Sequence, residues 1–164
     1  MTTLHFVYGP QGAGKSTYSQ QLAQVQGGLY FSIDAWMQTL YGADLAQPLD
    51  FAWIMARVRR CESQIWSIAQ QHAQLGGTAI LDLGLMKQTN RQRFQVLADD
   101  CGLAVQWHFI DAPLVTRRQR VLERNTHQGE TFAFEVTPAM FDFMEAEFEK
   151  PNESELASAI QITT

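Results

Sequence analysis

The chain has 164 residues, 46% of them hydrophobic, which predicts one globular domain with a substantial core. Twelve Lys and Arg residues against 17 Asp and Glu residues give a net charge of −5, which disfavours a general binder of nucleic acid or anionic membranes. The two cysteines form no disulfide framework, no apolar run is long enough to cross a bilayer, and the first residues show no secretion signal. We therefore expect a reduced, cytoplasmic protein without a membrane segment.

Apolar runs alternate with amphipathic segments along the chain. The predicted elements are, in order, a strand at 4–8, a helix from 15 to about 26, a strand at 29–33, a short helix to 40, a helix at 51–74 capped by Asp50, a strand at 78–83, a helix at 91–99, a strand at 103–110, a helix at 113–124, an aperiodic segment at 125–136, a helix at 138–148 and a last strand at 159–162. This alternation predicts a parallel sheet with helices on both faces, in a single α/β domain over residues 1–164.

The turn after the first strand reads Gly9-Pro10-Gln11-Gly12-Ala13-Gly14-Lys15-Ser16, which fits the spacing G-x-x-x-x-G-K-S/T in full. Glycines let successive backbone N–H groups turn inward around phosphate oxygens, and the helix that follows adds the positive end of its dipole. Lys15 is expected to reach the β- and γ-phosphates and Ser16 to bind Mg²⁺. The predicted nucleotide-binding residues are Gly9, Gln11, Gly12, Ala13, Gly14, Lys15, Ser16 and Thr17, the last on the α-phosphate.

The phosphate-binding motif does not identify the reaction, because switch proteins, motor ATPases, kinases and some sulfotransferases share it. A Gly-rich turn that binds nothing is the plain alternative, and the strand and helix on either side of the motif argue against it.

Asp34 follows the second predicted strand, so in a parallel sheet it lies at the same edge as the phosphate loop. A carboxylate there can orient an acceptor hydroxyl and accept its proton during phosphoryl transfer. The alternative is that Asp34 is only the N-cap of the short helix that follows. The sequence alone is consistent with both interpretations of Asp34.

Two apolar strands end in a carboxylate that could support Mg²⁺ through its water shell: residues 78–82 end in Asp82, and residues 107–111 end in Asp111. We favour Asp82, because the third strand is commonly the neighbour of the phosphate-loop strand in this architecture. Asp111 is expected to cap the helix that follows. The predicted metal ligands are therefore Ser16 and Asp82.

Four arginines, Arg117, Arg118, Arg120 and Arg124, lie in one predicted helix just before the aperiodic segment. Arg117, Arg120 and Arg124 are spaced three and four apart, so they share one face. A guanidinium can bind phosphate oxygens with two N–H groups, which predicts an arginine-bearing lid over residues 117–136. The alternative is a solvated helix face paired with acids such as Glu123.

This order of motifs resembles the small P-loop kinases, and most closely the branch of zeta toxins, chloramphenicol phosphotransferases and polynucleotide kinases. The resemblance extends from residue 4 to about 155. It implies a three-layer P-loop NTPase fold with about five parallel strands, Asp34 as the base for the acceptor hydroxyl, Lys15 on the β/γ-phosphates and Ser16 on Mg²⁺. It also matches Arg120 and Arg124 to lid arginines, and Arg117 is expected to help bind the nucleotide.

The segment between Asp34 and the third strand is the usual acceptor region of such kinases. Trp36 and Trp53 are the aromatic side chains that we expect to serve an acceptor rather than the core. Arg57 or Arg60 could recognise an anionic group on it, and ordinary helix charge is the alternative. The four histidines do not cluster in the sequence, and His5 and His108 are expected in the core.

The sequence thus predicts a kinase that uses ATP and Mg²⁺ to phosphorylate a hydroxyl of a small molecule. The resemblance to the small P-loop kinases implies ATP rather than GTP, and the absence of an N/T-K-x-D element for guanine agrees with it. Two alternatives are kept: a polynucleotide-end or nucleotide-sugar kinase, which the net charge disfavours for nucleic acid, and a nucleotide-dependent binding or switch module without an acceptor.

Overall fold

The computed structural model describes residues 3–127 and 135–164 as one five-stranded sheet with helices on both faces. Each strand pairs with its neighbours in parallel, in the order β2-β3-β1-β4-β5. The elements are β1 (Thr3–Tyr8), α1 (Lys15–Gln26), β2 (Leu29–Ser32), α2 (Ile33–Tyr41), a 3₁₀ turn (Gly42–Asp44), α3 (Phe51–Gln74), β3 (Ala79–Asp82), α4 (Gln88–Asp100), β4 (Ala104–Asp111), α5 (Leu114–His127), α6 (Pro138–Glu147), α7 (Glu153–Ser158) and β5 (Ala159–Thr163). The predicted three-layer α/β fold is confirmed.

The register of the central strands aligns their carboxyl ends. Asp82 at the end of β3 is level with Val7 of β1 on one side and with Ser32 of β2 on the other. The phosphate loop begins two residues after Val7, and Asp34 lies two residues after Ser32. Parallel pairing therefore brings the loop, Asp82 and Asp34 to one edge of the sheet, and β3 is the neighbour of β1 as expected.

Each face of the sheet is covered by its own set of apolar side chains. On one face α3 buries four residues at four-residue spacing, Cys61, Ile65, Ala69 and Ala73, in a cluster that also contains Phe6 of β1 and Phe94 of α4. On the other face Ala23 of α1 packs with Val7, Ile80 and Ile110. In the described residues no helix is both long and apolar enough to cross a membrane.

The predicted helix cap at Asp111 is wrong, and the alternative that Asp34 caps α2 does not hold. Strand β2 ends at Ser32, whose Oγ accepts a hydrogen bond from the Ala35 N–H at 3.2 Å, so Ser32 caps α2 and Asp34 lies in the first turn of the helix. Asp111 is the last residue of β4, and its Oδ1 accepts from the adjacent Ala112 N–H at 2.8 Å, before α5 begins at Leu114. Neither carboxylate therefore has the capping role that the sequence allowed or predicted for it.

A hydrogen-bonded chain of three side chains lies between α1 and the sheet. His5 Nδ1 and His108 Nε2 are 2.9 Å apart, and His108 Nδ1 is 2.8 Å from the Tyr18 hydroxyl of α1. Both histidines are buried, as expected from the sequence. Burial, together with the charge of His5, lowers the pKa of His108 to about 4, so this imidazole is neutral in the folded protein near pH 7.

The low pKa of His108 predicts an acid-sensitive fold. Between about pH 4 and pH 6.5 the unfolded chain binds a proton at His108 more readily than the folded chain, so the free energy of unfolding falls as the pH is lowered through this window. The full contribution is about 3 kcal/mol. Urea unfolding of the wild type and of His108→Gln at pH 4 to 7 measures it, and the variant should have the flatter profile. Parallel profiles would contradict the expectation.

Candidate active site

The loop between β1 and α1 packs against the backbone at the start of α5. Gly12 has φ +78°, and a Cβ at this position would lie 2.4 Å from the carbonyl oxygen of Arg117. A residue other than glycine would thus be both strained and in steric conflict. Gly14 is the N-cap of α1, with φ +95°, so that the helix points its N-terminus toward the loop. The motif forms the concave loop and helix start that it predicts.

Ser16 and Asp82 lie against each other at the edge of the sheet. Ser16 Oγ donates a hydrogen bond to Asp82 Oδ2 at 3.3 Å, and the hydroxyl of Tyr30 donates to the same oxygen, also at 3.3 Å. The pairing of β2 with β3 places Tyr30 here, and its strand pattern alone gave no signal for this contact. Asp111, the competing carboxylate, contacts Ala112 instead.

The hydroxyl oxygen of Ser16 and the carboxylate oxygens of Asp82 are of the type that binds Mg²⁺ in proteins. Burial raises the pKa of Asp82 to about 6, an increase that Lys15 opposes and Asp34 reinforces. A carboxylate held in this way gains from a bound cation. In the described residues no group of three or more His, Cys, Asp and Glu side chains forms a metal site, so the remaining ligands would be water and phosphate oxygens.

The Asp34 side chain is exposed to a cleft of about 450 Å³ that the phosphate loop also lines. The protein atoms around it raise its pKa by desolvation, while the positive charges of Lys15 and Arg124 lower it. Lys15 Nζ donates to the carbonyl of Pro10 at 3.1 Å, and its own pKa is lowered by burial and raised by Asp82 and Asp34. Acidic and basic side chains thus line one cleft together with the phosphate loop.

The four arginines of α5 divide into two groups. Arg120 and Arg124 line the cleft. Arg120 Nη1 donates to Thr164 Oγ1 at 2.7 Å and lies 3.3 Å from the carbonyl of Gly12. Burial lowers the pKa of Arg124, and Asp34 raises it.

The other two arginines are held outside the cleft. Arg117 is 6% exposed, and its two terminal nitrogens bind both carboxylate oxygens of Glu145, at 2.6 and 2.8 Å, while its Nε donates to the carbonyl of Ala112. Arg118 pairs with Asp142. Arg117 Nη1 also lies 3.4 Å from the carbonyl oxygen of Gln11 in the phosphate loop, so this guanidinium connects α5 to α6 and to the loop. That Arg117 binds nucleotide stays a prediction.

Two hydrogen bonds join Asn125 to Val136, the last residue of the lid that the sequence predicts over 117–136. Asn125 Nδ2 donates to the carbonyl of Val136 at 2.6 Å, and Asn125 Oδ1 accepts from the Val136 N–H at 2.9 Å. Both residues line the cleft, as does His127. The part of the lid at 128–134 lies outside the described residues.

The other residues that the sequence singled out are the loop ligands and two tryptophans. Of the predicted loop ligands, all but Ala13 line the cleft, and Ala13 is buried behind it, with its carbonyl accepting from Thr164 Oγ1. Trp36 is half-buried and packs on the apolar cluster of α3, so its role is at least partly structural. Trp53 packs with Arg57 and Tyr41 at the other end of α2.

Solved structures with the same fold are numerous: 176 chains match significantly. A protein of Chloroflexus aurantiacus j-10-fl assigned as a kinase is 19% identical, with a TM-score of 0.77 over 99% of this chain and 88% of that one. A sugar kinase of Janibacter sp. HTCC2649 is 20% identical, with a TM-score of 0.66 over 99% and 86%. A chain of the Pnkp1/Rnl/Hen1 RNA repair complex is 14% identical, with a TM-score of 0.64 over 89% and 43%. At these identities the matches establish the fold.

Sequence comparison gives the family. No curated protein matches the chain significantly. The profile of the AAA domain family, AAA_33, matches residues 4–151, and this match covers most of the chain and contains the phosphate loop, Asp34, Asp82 and α5. The chain therefore belongs to the AAA domain family AAA_33.

Proposed function

We propose that this protein is a kinase that transfers the γ-phosphoryl group of ATP to a hydroxyl of a small molecule. The observation that carries the proposal is the position of Asp34, which opens into the same cleft as the phosphate loop and interacts electrostatically with Lys15 and Arg124. A carboxylate at this position can contact a hydroxyl that approaches the terminal phosphate. A protein that only bound or hydrolysed nucleotide would not require it.

The phosphate loop, Lys15, Asp34, Arg120 and Arg124 then each have a task in this reaction. The loop from Gly9 to Gly14 and the N-terminus of α1 bind the phosphates through backbone N–H groups, and Lys15 neutralises charge on the β- and γ-oxygens. Asp34 orients the acceptor hydroxyl and accepts its proton as the oxygen bonds to phosphorus and the bond to the leaving ADP breaks. Arg120 and Arg124 stabilise the charge that spreads over the transferred group.

Mg²⁺, when bound, would neutralise phosphate charge and keep the oxygens oriented. Ser16 would bind the ion through its hydroxyl, and Asp82 would do so through water. Tyr30 holds Asp82 in place through their hydrogen bond.

The finer assignments belong to the same proposal. We infer one domain over residues 1–164 with a lid at 117–136, in which Arg120 and Arg124 contact nucleotide. A small acceptor is supported by the sugar kinase with the same fold. The resemblance of the motif order to the small P-loop kinases supports ATP rather than GTP, and the absence of an N/T-K-x-D element agrees with it.

A polynucleotide or nucleotide-sugar acceptor is the second candidate. The fold occurs in a chain of an RNA repair complex, so the net charge of −5 alone does not decide against nucleic acid. Screening hydroxylated metabolites, aminoglycosides, nucleosides and oligonucleotides with a free 5′-hydroxyl for acceptor-stimulated ADP release distinguishes the two. Transfer to oligonucleotides alone would favour the second candidate.

The role of Asp34 is tested with Asp34→Asn, because the amide keeps the shape of the side chain but cannot accept the proton. We expect phosphorylation of the acceptor to fall by at least about 100-fold while the Kd for ATP stays within about threefold. ADP release and fluorescent-nucleotide binding measure the two quantities. Asp44→Asn, in the exposed 3₁₀ turn, is the matched control. Unchanged transfer in Asp34→Asn would refute this role of Asp34. A wild type that transfers phosphate to no acceptor, with nucleotide turnover nearly unchanged in Asp34→Asn, would favour a switch or binding module.

The division of the α5 arginines predicts that the same Arg→Gln change has a large effect on kcat in one group and a small effect in the other. Arg124→Gln removes a charge from the cleft and should lower kcat by about 10²- to 10³-fold. Arg118→Gln breaks an exposed ion pair with Asp142 and should change kcat by less than about twofold. Steady-state kinetics at saturating ATP provide the comparison. Equal effects of the two changes would refute the separation of these arginines.

A further inference from the structure

A cluster of one arginine and two aromatic side chains lies where α2 and α3 pack together. The guanidinium carbon of Arg57 is 3.6 Å from the centroid of the Trp53 ring and 5.9 Å from that of Tyr41. The two rings meet edge to face, with centroids 6.1 Å apart. Arg57 Nη1 donates to the carbonyl of Trp53 at 3.1 Å. The guanidinium is therefore held flat on an aromatic surface.

Arg57 differs from most of the less exposed arginines in having no acidic partner. Among them, Arg91, Arg117 and Arg118 each form an ion pair with a carboxylate. Within the described part of the chain, three half-buried arginines form none: Arg57, Arg120 and Arg124. Arg120 and Arg124 line the nucleotide cleft, where an anion is expected. Arg57 likewise forms no ion pair with a described residue, at a second place.

The helix α2 connects this place to Asp34. Asp34 and Tyr41 are seven residues apart, which in an α-helix is two turns, so both lie on the same face about 10 Å apart along the axis. The contact between Cys61 Sγ and Met37 Sδ, at 3.9 Å, fixes the direction of α3 beside α2. Arg57, four residues before Cys61, then lies beside Tyr41 rather than beside Asp34.

We propose that Arg57, Trp53 and Tyr41 form the subsite for an anionic group of the acceptor, a carboxylate or a phosphate monoester located up to about 10 Å from the hydroxyl that Asp34 orients. This inference rests on the proposed kinase function and specifies its substrate class. Nη1 donates to the carbonyl of Trp53, which leaves Nε and Nη2 to donate two parallel hydrogen bonds to either anion.

Binding measurements test the subsite without turnover. In the presence of ADP, calorimetry would compare lactobionate with lactitol, and trehalose 6-phosphate with trehalose, so that each pair differs mainly in its anionic group. We expect the wild type to bind at least one anionic member at least tenfold more tightly than its neutral partner. The pair that shows the preference identifies carboxylate or phosphate as the anion.

The variants assign the preference to Arg57. Arg57→Gln should abolish it and leave the Kd for ATP unchanged, while Arg57→Lys, which keeps the charge but not the fork of donors, should retain part of it. Arg59→Gln is the matched control, since Arg59 is exposed on the opposite side of α3. Thermal unfolding confirms that each variant is folded.

Two results would overturn the subsite: equal binding of both members of every pair, absence of binding included, or a preference that survives in folded Arg57→Gln. Failure of the kinase proposal gives a different result: no acceptor would then be phosphorylated by the wild type, and Asp34→Asn would leave nucleotide turnover nearly unchanged, whatever the anion preference.

Discussion

The parallel pairing of β1, β2 and β3 is the constraint on which the site depends. Asp82 is level with Val7 and Ser32, and this register alone decides that the phosphate loop, the buried carboxylate and Asp34 meet at one edge. A shift of one residue in β3 would turn Asp82 to the opposite face of the sheet, away from Ser16 and Tyr30. The apolar side chains on the two faces of the sheet oppose such a shift, because it would exchange the sets that α1 and α3 cover. The same packing that stabilises the fold therefore positions the chemistry.

The cleft contains acidic and basic side chains, and desolvation disfavours the charged form of both kinds. Desolvation raises the pKa values of Asp34 and Asp82 and lowers those of Lys15 and Arg124, while the opposite charges partly restore them. A site of this kind gains when a polyanion and a divalent cation enter together, since each compensates charges that the protein leaves incompletely balanced. In contrast, Arg117 and Glu145 satisfy each other, and they stabilise the contact between α5 and α6 without any ligand.

The parts of this structure that could be predicted from the sequence are those that depend on residues close together in the chain. The G-x-x-x-x-G-K-S spacing and the alternation of strands with helices predicted the loop and the five strands. The neighbour relation of β1 and β3 was expected from what is common in this architecture and not from a pattern in the residues. The distinction between Arg117 and Arg124 could not be predicted, because both lie on one helical face and only Glu145, 28 residues away from Arg117, separates their roles.

Tyr30 and Arg57 were not resolved from the sequence for the same reason. The contact of Tyr30 with Asp82 needs the pairing of two strands, and the environment of Arg57 needs the packing of α2 on α3. The N-cap of α2 could not be decided from the sequence, because both Ser32 and Asp34 are good capping residues. The end of β2 at Ser32 decides between them.

A crystal structure with Mg²⁺ and a nonhydrolysable ATP analogue tests the central claim most directly. The account predicts the triphosphate in the loop from Gly9 to Gly14, with Lys15 Nζ on the γ-phosphate and the Asp34 carboxylate facing that phosphate across a gap that one hydroxyl group can fill, about 5 to 6 Å from phosphorus. A triphosphate bound elsewhere, or an Asp34 carboxylate turned away from the γ-phosphate, would contradict it.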